Sequence, residues 1–359
     1  MRSDILIVGG GIAGISAAAR LAPHADVRIL EREEAPGYHA TGRSAAVYVC
    51  NYGNAVLRQL NMASGAELAE RDVLSPRGFM YVAQPGENAA FETELAAAEG
   101  LQEVSVEEAC ALFPLLDPAK LHRAAIERSA CDIDVDRLLQ GFLREARIAG
   151  AALETRTDVR AIRRQGDLWH VETSAAEFAA PILVNAAGAW ADQVAELADV
   201  AAVGLSPLRR SAAILPVAED LDISRSPVIV AASETWYAKP EAGKLLVSPA
   251  DQDPVAPQDA HPDEMVLAEG LHRFEQATTM AVTRVERRWA GLRTFAPDRT
   301  LVAGFDPAAP GFFWLAGQGG YGIQTSPVMA RLSADLILRG RSDELAAETV
   351  AALSPERFA

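Results

Sequence analysis

Gly9, Gly11 and Gly14 fit G-x-G-x-x-G, and a carboxylate, Glu31, follows about 20 residues further on. In such a run the first glycine permits a tight turn and the second lets backbone approach a pyrophosphate. The third lets a helix pack closely on a strand. A carboxylate placed like Glu31 suits the hydroxyls of an adenosine ribose. Gly-rich turns are common, so the glycines alone decide little. Nucleophilic hydrolysis finds no comparable set, because no Ser, His or Cys arrangement places a plausible base beside a nucleophile. The three cysteines, Cys50, Cys110 and Cys131, have neither metal-ligand spacing nor a paired framework. Each reads as a small buried hydrophobe in a reducing compartment, and no metal site is expected.

The elements that must position those residues are legible around them. Ile5 to Val8 is a short apolar run of the kind buried on both faces of a parallel sheet. Ile15 to Leu21 is an Ala-rich helical segment, and Val27 to Leu30 is a second apolar strand ending on Glu31. Strand, glycine turn, helix, strand and terminal acid together predict a dinucleotide-binding βαβ unit. Its helix N-terminus would offer unpaired N–H groups and a positive dipole end to phosphates. The run PILVNAAGAWADQVAEL repeats strand, turn and helix, which predicts a strand returning to the same sheet. Near the end of the chain Leu301 to Ala303, the strand Phe312 to Ala316, the turn GQGGYG and a helix over Ser326 to Arg339 do so again.

Between these lie helices at Leu57 to Glu70 and Phe91 to Glu99, and a short one opened by a Ser105/Glu108 capping box. Asp134 or Asp136 caps an amphipathic helix whose face is Leu138, Leu139, Phe142, Leu143 and Ala146. Val159 to Arg164 and Trp169 to Thr173 form a hairpin about Gly166-Asp167. From Ser206 to Phe295 the texture turns strand-rich (Ala212 to Leu215, Val228 to Val230, Trp236 to Lys239, Lys244 to Val247). A Pro/Asp-rich loop at Ala250 to Pro262 interrupts it, and a helix at Asp263 to Thr278 follows. The fold class is therefore α/β: a discontinuous Rossmann-type domain over residues 1–76, 134–203 and 296–359, and a mixed-sheet α+β domain over 77–133 and 204–295.

Composition bounds the partners. At 359 residues the chain has room for two domains, and half of it is hydrophobic. A net charge of −16 and a pI near 4.9 argue against nucleic acid or an anionic membrane as partner. No run of about 18 apolar residues exists, so no transmembrane segment is expected. No basic and apolar leader precedes the first strand, and we expect a cytoplasmic protein, with peripheral attachment at the inner membrane face left open.

Four stretches in order (GGGIAG with Glu31, TGRSAA, VNAAGAW, and GLRTF followed by GQGGYGIQTSP) resemble the D-amino-acid oxidase/dehydrogenase family of FAD enzymes. The resemblance spans nearly the whole chain and is nearest to bacterial dehydrogenases of the D-arginine type. It implies an FAD-binding domain of the glutathione-reductase/D-amino-acid-oxidase type, and FAD rather than NAD. On the family pattern the AMP half would meet Gly9, Gly11, Ile12, Ala13, Gly14, Glu31 and Arg32, with Val159 beside the adenine. Thr41, Arg43, Ser44, Ala45 and Ala46 would approach the pyrophosphate and flavin. Gly188, Gly291, Gly319, Gly320, Tyr321, Gly322, Ile323 and Gln324 would complete the ring's surroundings. The cofactor is expected to be non-covalent: no cysteine follows Cys131, and His39 reads as an ordinary loop histidine.

The implied reaction is oxidative deamination of a small amino acid by hydride transfer from its α carbon to flavin N5, giving a 2-oxo acid and ammonia. Arginine matches a carboxylate with two parallel hydrogen bonds, which makes Arg293 the first candidate clamp and Arg210 the second. Strand alternation sends Arg209 to the other face. Tyr52 and Tyr237 match tyrosines that line the family's site, and Gln324 is a candidate contact for amine or flavin. Relatives that accept cationic side chains carry a carboxylate where this chain has Phe79, and a histidine beside the flavin where it has Val47. With Gly320 these define the expected substrate pocket. A cation against Phe79 would keep only a cation–π contact of roughly 0.5–2 kcal/mol, so neutral, apolar D-amino acids are expected over D-arginine or D-lysine. Oxidation of glycine, sarcosine or other secondary amines, 2-hydroxy-acid dehydrogenation, and a non-catalytic flavin carrier are the alternatives. The electron acceptor (a quinone, a dye-like molecule or oxygen) is not legible.

Overall fold

The computed structural model describes residues 1–358. Its first layer is a six-stranded sheet in the order Val302–Phe305, Phe312–Ala316, Ile182–Asn185, Ile5–Val8, Val27–Leu30, Ala152–Glu154. All neighbours are parallel except the outermost Val302–Phe305 strand. The central strands read as unbroken apolar runs because both faces are covered: Leu6 and Ile7 are fully buried. Helices Ile12–Leu21, Val135–Ile148 and Gly322–Arg339 pack on one face. The antiparallel meander Val159–Gln165, Leu168–Thr173, Glu177–Ala180 and the short helix Ala191–Leu197 cover the other. Strand Ile182–Asn185 pairs with Ile5–Val8, so the middle segment does return to the sheet that the N-terminus begins.

Gly9 and Gly14 are where the glycine pattern does its structural work. Gly9 has φ +111°, and a Cβ there would lie 2.4 Å from the Ala186 carbonyl oxygen. A Cβ on Gly14 would lie 2.0 Å from the carbonyl oxygen of Gly9. A larger residue at Gly14 would push the helix off the strand, and one at Gly9 would collide with the backbone of the adjacent Ala186 turn.

The second layer is an eight-stranded sheet ordered Arg287–Phe295, Ser206–Leu215, Lys244–Ser248, Tyr237–Glu241, Val228–Ala231, Phe79–Ala83, Arg123–Glu127, Gln102–Val104. It is antiparallel apart from the Val228–Ala231/Phe79–Ala83 pair. Successive side chains alternate faces. Met80, Val82, Ile229, Ala231, Ala238, Val247, Ala213 and Leu215 point to one side, where helix Glu264–Ala277 buries them with Phe274. Their neighbours Phe79, Tyr81, Val228, Val230, Tyr237 and Arg210 point to the other, towards the six-stranded layer. A small sheet of Val47–Tyr48, Cys131–Ile133 and Leu74–Pro76 joins the layers.

Several elements depart from expectation, among them three that bear on how the layers are built. Arg287–Phe295 is a nine-residue strand paired along its length with Ser206–Leu215, of which only the end was legible. In both strands arginines interrupt the apolar alternation, because one face lines a cavity instead of a core. Trp236 falls outside its strand and packs on Phe274, ring centroids 5.6 Å apart. The last long helix begins at Gly322, ahead of Ser326, and contains Pro327. The proline leaves the Ile323 carbonyl without its usual N–H donor, and the Ser326 hydroxyl donates to that carbonyl at 2.9 Å instead.

Candidate active site

A cleft of about 320 Å³ runs along the ends of the parallel strands. Of the residues expected to hold a cofactor, it is lined by Gly9, Gly11, Ile12, Ala13, Glu31, Arg32, Thr41, Arg43, Ser44, Ala45, Val159, Gly188, Gly291, Gly319, Gly320, Gly322 and Ile323. Gly14 sits behind the turn, while Ala46 and Tyr321 belong to the adjoining cavity described below. The Glu31 carboxylate accepts from Gly10 N and from Glu33 N, both at 2.8 Å, which fixes it at the strand end. Thr41 Oγ1 accepts from Ile12 N at 3.0 Å, so a loop residue takes one N–H of the first turn of the helix. That turn carries no acidic residue, and Gly11 at its N-cap offers no side chain, so an anionic group meets only N–H donors there. This cradle fits a pyrophosphate.

Around the outer end, the Arg32 guanidinium lies 4.0 Å over the ring of Trp190, and His39 packs on that ring at 4.7 Å. Arg32 and His39 both bond Glu33 Oε1 at 2.9 Å. Burial pushes the Glu33 carboxyl up, but these two partners outweigh it and hold it below its ordinary range. Arg43 does not reach free into the cleft. Its guanidinium donates to the carbonyls of Ala260 (3.1 Å) and Ala290 (3.0 Å) and pairs with Asp259, tying the loop of the first layer to the second.

A second cavity of about 400 Å³ adjoins the first, with the inner face of the eight-stranded sheet as its floor. Arg210 lies directly opposite Gly291, and Arg293 two residues beyond it on the same face, so the two guanidiniums are diagonal neighbours. Arg293 donates to Tyr52 Oη at 3.2 Å, and Arg210 donates to the Asp251 carbonyl at 2.9 Å. Among the described residues neither forms an ion pair with a carboxylate. Arg209 faces away and pairs with Asp253 at 2.8 Å. Burial and then the charge of Arg293 lower the pKa of Arg210. Burial also opposes the charge on Arg293, but Tyr52 and Tyr237 outweigh it and leave that group raised. For Tyr237, burial pushes the phenol up, and Arg293 with Arg210 overcomes this to bring it below its ordinary value. Such a pair of desolvated cations ringed by phenols is a site for an anion. Gly320 lets the GQGGYG turn come close: a Cβ there would sit 3.2 Å from Arg293 Cζ.

Phe79 and Val47 line this cavity beside Tyr81, Val228 and Val230. Gln324 lines neither cavity, which corrects the expectation of an amine or flavin contact. It is buried, with Oε1 accepting from Val49 N (3.0 Å) and Nε2 donating to Asn61 Oδ1 (2.9 Å). Sequence reasoning missed Trp190, Asn61, Lys239 and Arg299. Trp190 stood in VNAAGAW and was passed over as a helix start; no motif marks the other three, each of which also has a partner far along the chain: Gln324 for Asn61, Asp132 for Lys239 and Gln252 for Arg299.

A model of the FAD dependent oxidoreductase family matches residues 4–336. Glycine oxidase of Geobacillus kaustophilus (strain HTA426) is 27% identical over 367 residues, covering 94% of this chain and 93% of that protein. Among solved structures, L-proline dehydrogenase from P. horikoshii superposes with a TM-score of 0.84 at 20% identity, covering 99% of this chain and 98% of that one. L-alpha-glycerophosphate oxidase from Mycoplasma pneumoniae, with FAD bound, does so at 0.85 and 18%, covering 94% and 95%.

Proposed function

This chain belongs to the FAD dependent oxidoreductase family, and on that premise we propose that it oxidises the α C–H of a small amino acid held by its carboxylate. The observation that carries this reading is the Arg210/Arg293 pair, diagonal on one sheet face and without a carboxylate partner among the described residues. A carboxylate bridging the two guanidiniums would accept hydrogen bonds from both, neutralise one of the two charges and fix the α carbon over the junction of the two cavities. Tyr52 and Tyr237 then orient the carboxylate and close the site against water. FAD, when bound, supplies the two-electron acceptor. The amine must be neutral for the hydride to leave, and the imino acid produced hydrolyses to a 2-oxo acid and ammonia. We assign residues 1–76, 134–203 and 296–359 to the cofactor domain and 77–133 and 204–295 to the substrate domain.

The substrate class we favour is the D-amino acids, neutral side chains before cationic, by the motif resemblance to D-amino-acid dehydrogenases and by the apolar wall of Phe79, Val228 and Val230. Glycine-like or secondary amines are the second reading, favoured by the likeness to glycine oxidase. Unpaired cysteines agree with a cytoplasmic setting. Anaerobic mixing with a panel of D- and L-amino acids, sarcosine and 2-hydroxy acids tests the proposal: a D-amino acid should bleach the flavin absorbance. Bleaching by 2-hydroxy acids alone, or by nothing, would end it. Phe79→Glu should raise turnover of D-arginine relative to a neutral D-amino acid; an unchanged ratio removes the specificity claim.

A further inference from the structure

The cavity over the sheet holds more positive charge than one carboxylate uses. Its lining includes Arg210, Arg293, Arg299 and Lys239, against a single carboxylate, the exposed Glu234. Lys239 is neutralised from behind, its ammonium lying 3.1 Å from Asp132 and 3.2 Å from Glu241. Arg210 and Arg293 are taken by the first carboxylate of the substrate. Arg299, at the mouth, is left over.

Several observations set Arg299 apart from an ordinary surface arginine. Among the described residues it pairs with no carboxylate. Its guanidinium lies 4.2 Å over the ring of Phe295, and Nη2 donates to Gln252 Oε1 at 2.8 Å. Both partners line the same cavity. Its backbone is left-handed, φ +60°, a conformation that favours glycine. Polar groups lead inward from it. The Tyr321 ring lies 6.2 Å from Phe295 and 4.8 Å from Tyr52, whose hydroxyl accepts from Arg293. Burial first, with Tyr52 and Glu234, pushes the Tyr321 phenol up to about 12, against the opposing charges of Arg299 and Arg293.

We propose that Arg299, held by Gln252 and Phe295, is an outer anion subsite for a second carboxylate on the substrate. The cavity then takes amino or imino dicarboxylates in preference to their uncharged isosteres. This rests on the reading that Arg210 and Arg293 hold the first carboxylate.

Glutamate and glutamine, nearly identical in shape, isolate the second charge. Initial rates would be measured for both enantiomers of each with the FAD-loaded enzyme and a dye acceptor, in the wild type, Arg299→Gln and Arg299→Lys. The wild type should favour glutamate. Arg299→Gln should lower kcat/KM for glutamate by about 5- to 20-fold, through KM, and that for glutamine by less than about 2-fold. Arg299→Lys should restore part of the preference, and raising salt from about 50 to 500 mM should shrink it. A glutamate-to-glutamine ratio unchanged by Arg299→Gln overturns the proposal, as does oxidation of neutral or cationic amino acids with dicarboxylates refused. If no amino or imino acid bleaches the flavin, the inner clamp is itself misassigned and the outer subsite falls with it.

Discussion

Arg293 has tyrosines around it where a structural arginine would have carboxylates, and this decides what its replacement should do. Arg293→Met removes one arm of the clamp and leaves Arg210 and both phenols in place. Losing a hydrogen bond to a charged group costs about 1.5–3 kcal/mol, so kcat/KM for an amino acid should fall about 10- to 100-fold with the flavin spectrum intact. Steady-state kinetics beside an absorbance measure of FAD content check this, and loss of FAD in proportion to activity would contradict it. At this scale the sequence was informative where chemistry is peculiar to a residue type. Two arginines on strands of an acidic protein invite a carboxylate, and the alternation that sends Arg209 outward follows from the pleat. Gln324 misled because an amide beside a glycine turn looks like a ligand contact; its partners, Val49 and Asn61, lie some 260 or more positions away in the chain.

Asn61 shows how an element, rather than a residue, holds the loop that bears Tyr52 beside the proposed clamp. It lies on helix Ala55–Glu70, fully buried, and its amide donates to the carbonyls of Val49, Cys50 and Tyr52 while accepting from Gln324. The loop bearing Tyr52 is thereby stapled to two helices. Asn61→Leu should leave buried carbonyls unpaired, lower stability by about 1–3 kcal/mol and raise KM more than it lowers kcat. Denaturant unfolding and kinetics on the folded fraction measure the two effects.

Glu67, on the same helix, pairs with Arg20, Arg71 and Arg331, joining three helices behind the parallel sheet. Burial pushes its carboxyl up, but Arg20 first and then Arg71 and Arg331 outweigh it and hold the pKa below 4.5. A carboxyl depressed in the folded state contributes stability above its unfolded pKa and loses it as pH falls through the folded value. Glu67→Gln should therefore cost about 1–3 kcal/mol near pH 7, and the difference from wild type should shrink below about pH 4.5. Urea unfolding at several pH values checks the sign.

The two sheets meet across the cleft through a few ties, among them Arg43 to Asp259, Ala260 and Ala290, and Trp289 Nε1 donating to the Arg43 carbonyl at 3.1 Å. A ligand filling the cleft stabilises the folded chain by mass action, about 2.7 kcal/mol at a free concentration 100 times Kd. With roughly 2.1 cal/mol/K of unfolding entropy per residue over 359 residues, that is a Tm rise of about 3–4 °C on adding FAD to stripped protein. Differential scanning calorimetry measures it, and NAD at the same concentration should give no rise.

What the sequence determined by itself was the parallel sheet and its dinucleotide site, with the resemblance to a flavoenzyme family adding that the dinucleotide is FAD. The glycine turn, the buried strands and the terminal acid lie within one short run of chain, where backbone sterics and helix-end electrostatics act locally. The two returning βα units could be read because each repeats that local pattern. Tertiary structure alone decided the second cavity. Its wall is drawn from strands spread between Phe79 and Phe295, and which face of each strand turns inward depends on register with partners far along the chain. Arginines on a cavity-lining strand also break the apolar alternation by which a strand is recognised, so the strands that carry Arg210 and Arg293 were the least legible as elements.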